Sequence, residues 1–196
     1  GPDDLKFILI PKCGTRSIRN AALKKHGLPL TSKWRAWAFI RYVAKVDGKT
    51  SYTIILRPPL ERIHSCWKQK VSAERNGSIF YFWQYYPFIR PDMDFGEFLS
   101  AVAKIPAPFR EKHFISVKYL INGADIARCQ FLPLESLQAK LNKGFGQLVI
   151  SANTTTKKYI SDVDARIFDQ LLGTDYALDT KLYQEAVASH GVSELL

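Results

Sequence analysis

The chain contains 196 residues, of which 46% are hydrophobic, and carries a formal net charge of +10. A chain of this size and apolar content can form one substantial core without disulfides, and its three cysteines lack the spacing of metal ligands. These features argue against a zinc module and for a reducing compartment, while the positive charge suits an anionic ligand such as a nucleotide, an acidic acceptor or a nucleic acid.

The first informative segment runs from Phe7 to Leu23, FILIPKCGTRSIRNAAL. Its apolar start predicts a buried strand over 6–10, Gly14 permits backbone conformations closed to other residues, and a helix is expected over 17–26. The loop therefore precedes a helix N-terminus, where backbone N–H groups and the helix dipole favour an anion. We interpret the segment as a phosphate-binding strand, loop and helix, with charge and hydroxyl donors from Lys12, Thr15, Arg16 and Ser17.

Two other interpretations of this loop remain open from the residues alone. Many α/β proteins join a strand to a helix through Gly and Ser without binding anything at the turn. The nucleoside-triphosphate loop places four residues between two glycines, followed by Lys and Ser or Thr, whereas here Lys12 precedes a lone Gly14. No apolar strand ends in the Asp that would hold magnesium, so no metal site is predicted.

The second informative segment runs from Tyr52 to Trp67, YTIILRPPLERIHSCW. It predicts a strand over 51–56 and a helix over 60–75, since proline is tolerated in a first helical turn. Arg57 then lies at the carboxyl end of a strand, where it either contacts an anion or forms a surface ion pair. Ser65 comes about two turns into the helix and shares a ligand with Arg57 only if the helix folds back across the strand end.

The remaining elements continue the alternation of strands and helices. Further strands are expected within 37–43 and over 128–132, and further helices over 95–104, 134–141, 162–172 and 178–189. This order predicts an α/β fold with a mostly parallel central sheet flanked by helices, in a single domain covering residues 1–196. Ligands of such sheets bind outside the carboxyl ends of the strands, where Lys12 and Arg57 are both expected.

Together the two segments resemble the sulfotransferase superfamily, and in particular its carbohydrate-type (family 2-like) branch, which carries a PKxGTTS-like loop and an RxPxxRxxSxW-like segment. The resemblance implies that the loop binds the 5′-phosphosulfate of 3′-phosphoadenosine 5′-phosphosulfate (PAPS), and that Arg57 and Ser65 bind its 3′-phosphate. A late segment, NTTTKK, resembles the part that closes the nucleotide site. The implied nucleotide-binding residues are Lys12, Cys13, Gly14, Thr15, Arg16, Ser17, Arg57, Ser65, Lys157 and Lys158. The chain departs from the pattern at Arg16, where Thr is usual, and at Pro58, where an acidic residue is common.

The resemblance also implies a reaction: transfer of a sulfuryl group from PAPS to an acceptor hydroxyl, leaving 3′,5′-bisphosphoadenosine (PAP). Lys12 is expected to stabilise the developing negative charge, and no metal is required. His113, in the segment EKHF, is the preferred general base, because a similar His-containing segment borders the acceptor cleft of the family; Glu74 is a carboxylate alternative. The acceptor is expected to be a saccharide, and the aromatic segment 78–88 could supply stacking surfaces.

The expected partners are therefore a nucleotide donor and a hydroxyl acceptor, without nucleic acid and without stable membrane insertion. The cysteines suit a reducing compartment and no run approaches the length of a membrane helix, so a cytoplasmic protein is expected. Gly1 and Pro2 resemble a cleavage scar, so the alternative is a luminal domain freed of its membrane anchor. Two other functions remain open: a nucleotide kinase or hydrolase with an atypical phosphate loop, and a non-catalytic basic protein that binds nucleic acid.

Overall fold

The secondary structure of the protein is known from a computed structural model that describes residues 6–29, 46–72, 85–145 and 160–190. The strands are β1 (Phe7–Ile8), β2 (Thr53–Leu56) and β3 (Gln130–Pro133). The α-helices are α1 (Thr15–Lys25), α2 (Pro59–Lys70), α3 (Phe95–Ala103), α4 (Val117–Leu120), α5 (Leu137–Phe145), α6 (Asp162–Leu172) and α7 (Ala177–His190). Short 3₁₀ turns occupy Ala107–Phe109, Ile126–Arg128 and Leu134–Ser136.

The three strands form a parallel sheet in the order β1, β2, β3. The central strand has the sequence TIIL and is buried at every position, as expected for β-branched and apolar residues in a parallel sheet. Phe7 pairs with Thr53 and Ile54 with Phe131, so all three strands point the same way. The predicted α/β class is thus confirmed as a small parallel three-stranded sheet flanked by helices.

Several helix boundaries follow from local capping signals. Helix α3 begins after a capping box, in which the Asp94 carboxylate accepts from the Glu97 N–H at 2.7 Å and the Glu97 carboxylate accepts from the Asp94 N–H at 3.1 Å. Ser161 accepts from the Asp164 N–H at 3.1 Å and starts α6 at the predicted residue. The strand expected over 128–132 begins later, because the 3₁₀ turn at Ile126–Arg128 occupies its first position. The strand expected within 37–43 lies outside the described residues.

Contacts divide the chain into two compact units, each built from separate stretches of sequence. The first unit comprises the described parts of 1–57, 120–154 and 181–196, and contains the sheet with α1 packed against α5. The second comprises the described parts of 58–119 and 155–180, and contains the α3–α6 contact. The single domain stays a prediction.

The second unit has its own apolar core, built where α3 packs against α6. Its most deeply buried large side chains are Ile63, Phe98, Leu99, Phe114 and Tyr176, each fully or almost fully excluded from solvent. None of the helices in the described ranges is long and apolar enough to cross a membrane.

Candidate functional site

The turn between β1 and α1 has an unusual backbone. Lys12 and Gly14 both have positive φ angles, +70° and +73°, whereas Cys13 between them does not. Left-handed residues that alternate with right-handed ones can bring successive backbone N–H groups together in an anion-binding nest. Lys12 bears the strain of a left-handed non-glycine residue, and such strain is typical of functional turns.

The same turn is anchored to the protein beneath it. The Cys13 N–H donates to the Ile10 carbonyl at 3.2 Å, and the Cys13 side chain is buried. Gly14 is the N-cap of α1, and a Cβ added to it would lie 2.3 Å from the Leu137 Cδ2 of α5. The positive φ therefore favours glycine, and a larger residue would force the Leu137 side chain to move.

The side chains of the turn face solvent to different degrees. Lys12, Thr15 and Ser17 are half-buried, and Arg16 is exposed. The first turn of α1 has no acidic residue, so nothing there offsets the positive end of the helix dipole. The turn thus offers backbone donors, hydroxyls and cationic side chains, the chemistry that a phosphate group needs.

Arg57 lies at the same sheet edge as this turn. It directly follows β2, which is adjacent and parallel to β1, and neighbouring strands are about 4.8 Å apart. The first unit therefore places two basic strand exits side by side, as the sequence predicts.

Ser65 belongs to the second unit, on α2, and its side chain is buried with 9% exposed surface. One turn earlier on α2, Arg62 is 1% exposed and lies 3.5 Å from the Asp179 carboxylate at the start of α7. The Arg62 guanidinium also donates to the Ile115 carbonyl and, at 3.4 Å, to the His113 carbonyl. Arg62 is thus a buried anchor for the segment around His113.

Asp179 completes this buried network. It is 3% exposed and accepts hydrogen bonds from the Ser116 hydroxyl at 2.6 Å and the Val117 N–H at 2.9 Å. Burial raises the pKa of Asp179 above its usual value, although Arg62 and the Ser116 hydroxyl act in the opposite direction. Tyr176 adds a hydrogen bond to the Phe114 carbonyl, and burial raises its pKa to about 12.

His113, the predicted base, forms a close pair with Glu111. The ring Nδ1 lies 2.7 Å from Oε2 of Glu111, and the backbone N–H of His113 donates to the same oxygen at 2.7 Å. Burial disfavours the charged form of Glu111, but the hydrogen bonds from His113 outweigh it and lower the pKa of the carboxyl group. The His113 ring is 23% exposed, so it is held from within the protein while part of it reaches solvent.

The other histidines have different surroundings. His26 is the exposed C-cap of α1, and His190 ends α7 with Nδ1 2.9 Å from the Ala186 carbonyl. His64 packs edge-on against Phe95, with ring centroids 4.8 Å apart. The alternative base and the two late lysines, Glu74, Lys157 and Lys158, lie outside the described residues.

The second unit also contains an open groove beside α3. Its volume is about 430 Å³, and its lining includes Phe88, Met93, Glu97, Ser100 and Lys104. Phe88 is 43% exposed and belongs to the aromatic segment 78–88, of which residues 78–84 fall outside the described ranges. The groove combines an aromatic surface with carboxylate, hydroxyl and ammonium groups.

Sequence reasoning missed Glu111 and Asp179. A carboxylate two residues before a candidate base was the available signal for Glu111, whereas no local pattern indicated Asp179. Among the residues that the structure describes, no three His, Cys, Asp or Glu side chains are grouped as a metal site.

Comparison of the chain with protein-family models, curated proteins and solved structures found no match.

Proposed function

We propose that this protein is a PAPS-dependent sulfotransferase that transfers a sulfuryl group to a hydroxyl of an acceptor, expected to be a carbohydrate. The observation that carries the proposal is the adjacency of the Lys12 turn and Arg57 at the carboxyl edge of parallel strands β1 and β2. Two basic turns at one such edge suit a ligand with two separate phosphate groups.

The chemistry of the first turn supports a role in stabilising charge during transfer. The backbone N–H groups at the start of α1, the helix dipole and the Lys12 side chain would bind the 5′-phosphosulfate. Arg57 would bind the 3′-phosphate as a fixed cation. The positive groups next to the 5′-phosphate would stabilise the leaving phosphate oxygen without a metal ion.

The lining of the groove beside α3 is suited to an acceptor that has both polar groups and apolar faces. An aromatic ring such as Phe88 offers a stacking surface to a sugar ring, while the neighbouring Glu97, Ser100 and Lys104 can hydrogen-bond to hydroxyl groups. The expected effect of Phe88→Ala is a higher KM for the acceptor, with unchanged PAP binding. An equal loss of PAP binding would argue against this assignment.

A ligand-binding experiment tests the donor assignment before any acceptor is known. PAP without metal should raise the thermal unfolding temperature, and ATP with magnesium should not, because only a ligand of the folded state adds stability. Lys12→Ala and Arg57→Ala should each weaken the shift. The exposed Lys181 and Arg90 supply matched controls as Lys181→Ala and Arg90→Ala, for which the PAP-dependent shift should stay at the wild-type value.

The outcomes separate this function from its rivals. A shift with ATP and magnesium alone would favour a nucleotide kinase or hydrolase. Nucleic-acid binding with a steep salt dependence, in the absence of any nucleotide shift, would favour a basic binding protein. Equal PAP-induced shifts in Lys12→Ala, Arg57→Ala and their controls would refute the proposed site.

A further inference from the structure

We propose that Glu111 is a positioning residue that orients the His113 ring and fixes its proton on Nδ1, so that Nε2 is the atom that receives the acceptor proton. The inference rests on the proposed sulfuryl transfer and adds to it a specific pair of residues. The geometry that carries it is the double contact of one carboxylate oxygen with both the ring and the backbone of His113.

The direction of the hydrogen bond between Glu111 and the His113 ring places the ring proton on Nδ1. Ionised Glu111 has no proton to donate, so at 2.7 Å the ring Nδ1 of His113 must be the donor. In a neutral imidazole, a proton on Nδ1 leaves Nε2 as the acceptor. Within the residues that the structure describes, Nε2 of His113 has no hydrogen-bond partner.

The segment that carries the pair is held by several hydrogen bonds. The N–H groups of Phe114 and Ile115 both donate to the Glu111 carbonyl, at 2.9 and 2.8 Å, which closes a tight turn around His113. The buried Arg62 guanidinium also donates to the His113 carbonyl, at 3.4 Å. The ring is thus supported by backbone and side-chain contacts, as a preorganised base requires.

The Glu111 carboxylate has one oxygen left over from its contacts with His113. The second carboxylate oxygen of Glu111, Oε1, is buried without a hydrogen-bond partner in the described part of the chain, and the side chain is only 9% exposed. A buried carboxylate oxygen without a hydrogen bond destabilises the folded state. Such groups are concentrated at functional sites, where they serve the chemistry and not the packing. An ionised Glu111 strengthens the hydrogen bond from the His113 Nδ1–H, and it stabilises the imidazolium that forms when the ring gains a second proton.

The reaction that this pair would serve is balanced as follows. The acceptor hydroxyl oxygen bonds to sulfur, the bond between sulfur and the 5′-phosphate oxygen breaks, and its electron pair leaves with PAP. The hydroxyl proton moves to Nε2 of His113, which becomes an imidazolium beside the Glu111 carboxylate. Glu111 itself neither gains nor loses a proton.

The test compares near-isosteric variants of the full chain in a transfer assay with labelled PAPS. Glu111→Gln removes the charge but keeps the size, and turnover should fall by about 10- to 100-fold, while the acceptor KM and PAP binding stay unchanged. His113→Gln should lose about 100- to 10,000-fold. Glu185→Gln, at an exposed carboxylate paired with Lys181, is the matched control and should retain full turnover.

A spectroscopic measurement tests the pair independently of activity. In ¹⁵N-histidine-labelled protein, the neutral His113 ring should carry its proton on Nδ1, and Glu111→Ala should shift the ring towards the other tautomer. If Glu111→Ala does not fold, Glu111→Gln is measured instead, and a weaker Nδ1–H hydrogen bond is expected. An unchanged ring signal in the folded variant, or full turnover in Glu111→Gln or His113→Gln, would overturn the inference. Failure of the wild-type chain to bind PAP would instead refute the proposed function, while the ring signal still decides whether Glu111 fixes the proton.

Discussion

Removal of the Asp179 carboxylate should lower the free energy of unfolding of the second unit more than most single substitutions do. In Asp179→Ala, the Arg62 guanidinium, 1% exposed and 3.5 Å from Asp179, loses its buried counter-ion. Breaking such a pair typically costs about 3–5 kcal/mol, and a buried donor such as the Val117 N–H left without an acceptor adds about 1–3 kcal/mol. Since domains are typically stable by only about 5–15 kcal/mol, this variant should lose much of its free energy of unfolding.

Urea unfolding followed by circular dichroism measures the loss. Asp169→Ala, at an exposed aspartate of α6, is the matched control and should change the free energy of unfolding by no more than about 0.5 kcal/mol. The double variant Arg62→Met with Asp179→Leu removes both charges together and should be more stable than the sum of the two single losses predicts. A loss below about 1 kcal/mol in Asp179→Ala, or strict additivity in the double variant, would refute the assignment of a buried ion pair.

Three further predictions concern the phosphate turn and the buried tyrosine. Lys12→Ala should reduce the rate of transfer by about 100- to 1000-fold with little change in fold, because one preorganised donor is lost; a rate within threefold of wild type would contradict its catalytic role. Gly14→Ala should cost about 1–2 kcal/mol of backbone strain and about 1–3 kcal/mol from the clash with Leu137, measured by urea unfolding; a stability unchanged from wild type would contradict both terms. The pKa of Tyr176 in the folded protein is about 12, above its usual value of 10.0. The protonated phenol therefore stabilises the fold fully below pH 10, and about 3 kcal/mol of the free energy of unfolding is lost as the pH rises through 12. Tyr176→Phe should lack this alkaline component, and equal alkaline slopes in the two proteins would contradict the assignment.

The elements that are determined over short distances could be predicted from the sequence. The helix over 162–172 begins and ends as expected, since Ser161 caps it and its apolar residues recur at helical spacing. The apolar runs before Pro11 and Arg57 do form parallel strands, and their order placed both basic turns at one edge of the sheet. Even there the strand over 6–10 is shorter than predicted, because only Phe7–Ile8 pair with β2 in the described residues.

Contacts between distant residues were decided only by the tertiary structure. Ser116 and Asp179 are separated by 63 positions, and nothing near either residue indicates that both are buried together with Arg62. The Glu111–His113 pair is local in sequence, yet it forms only because a tight turn brings the backbone N–H and the ring of His113 to one Glu111 oxygen in a carboxylate that the fold buries. The sequence alone thus determined which segments become strands, helices and basic turns, because those depend on neighbours along the chain. Which charges are buried, paired or presented to solvent depended on packing between remote segments, and only the folded chain specifies that.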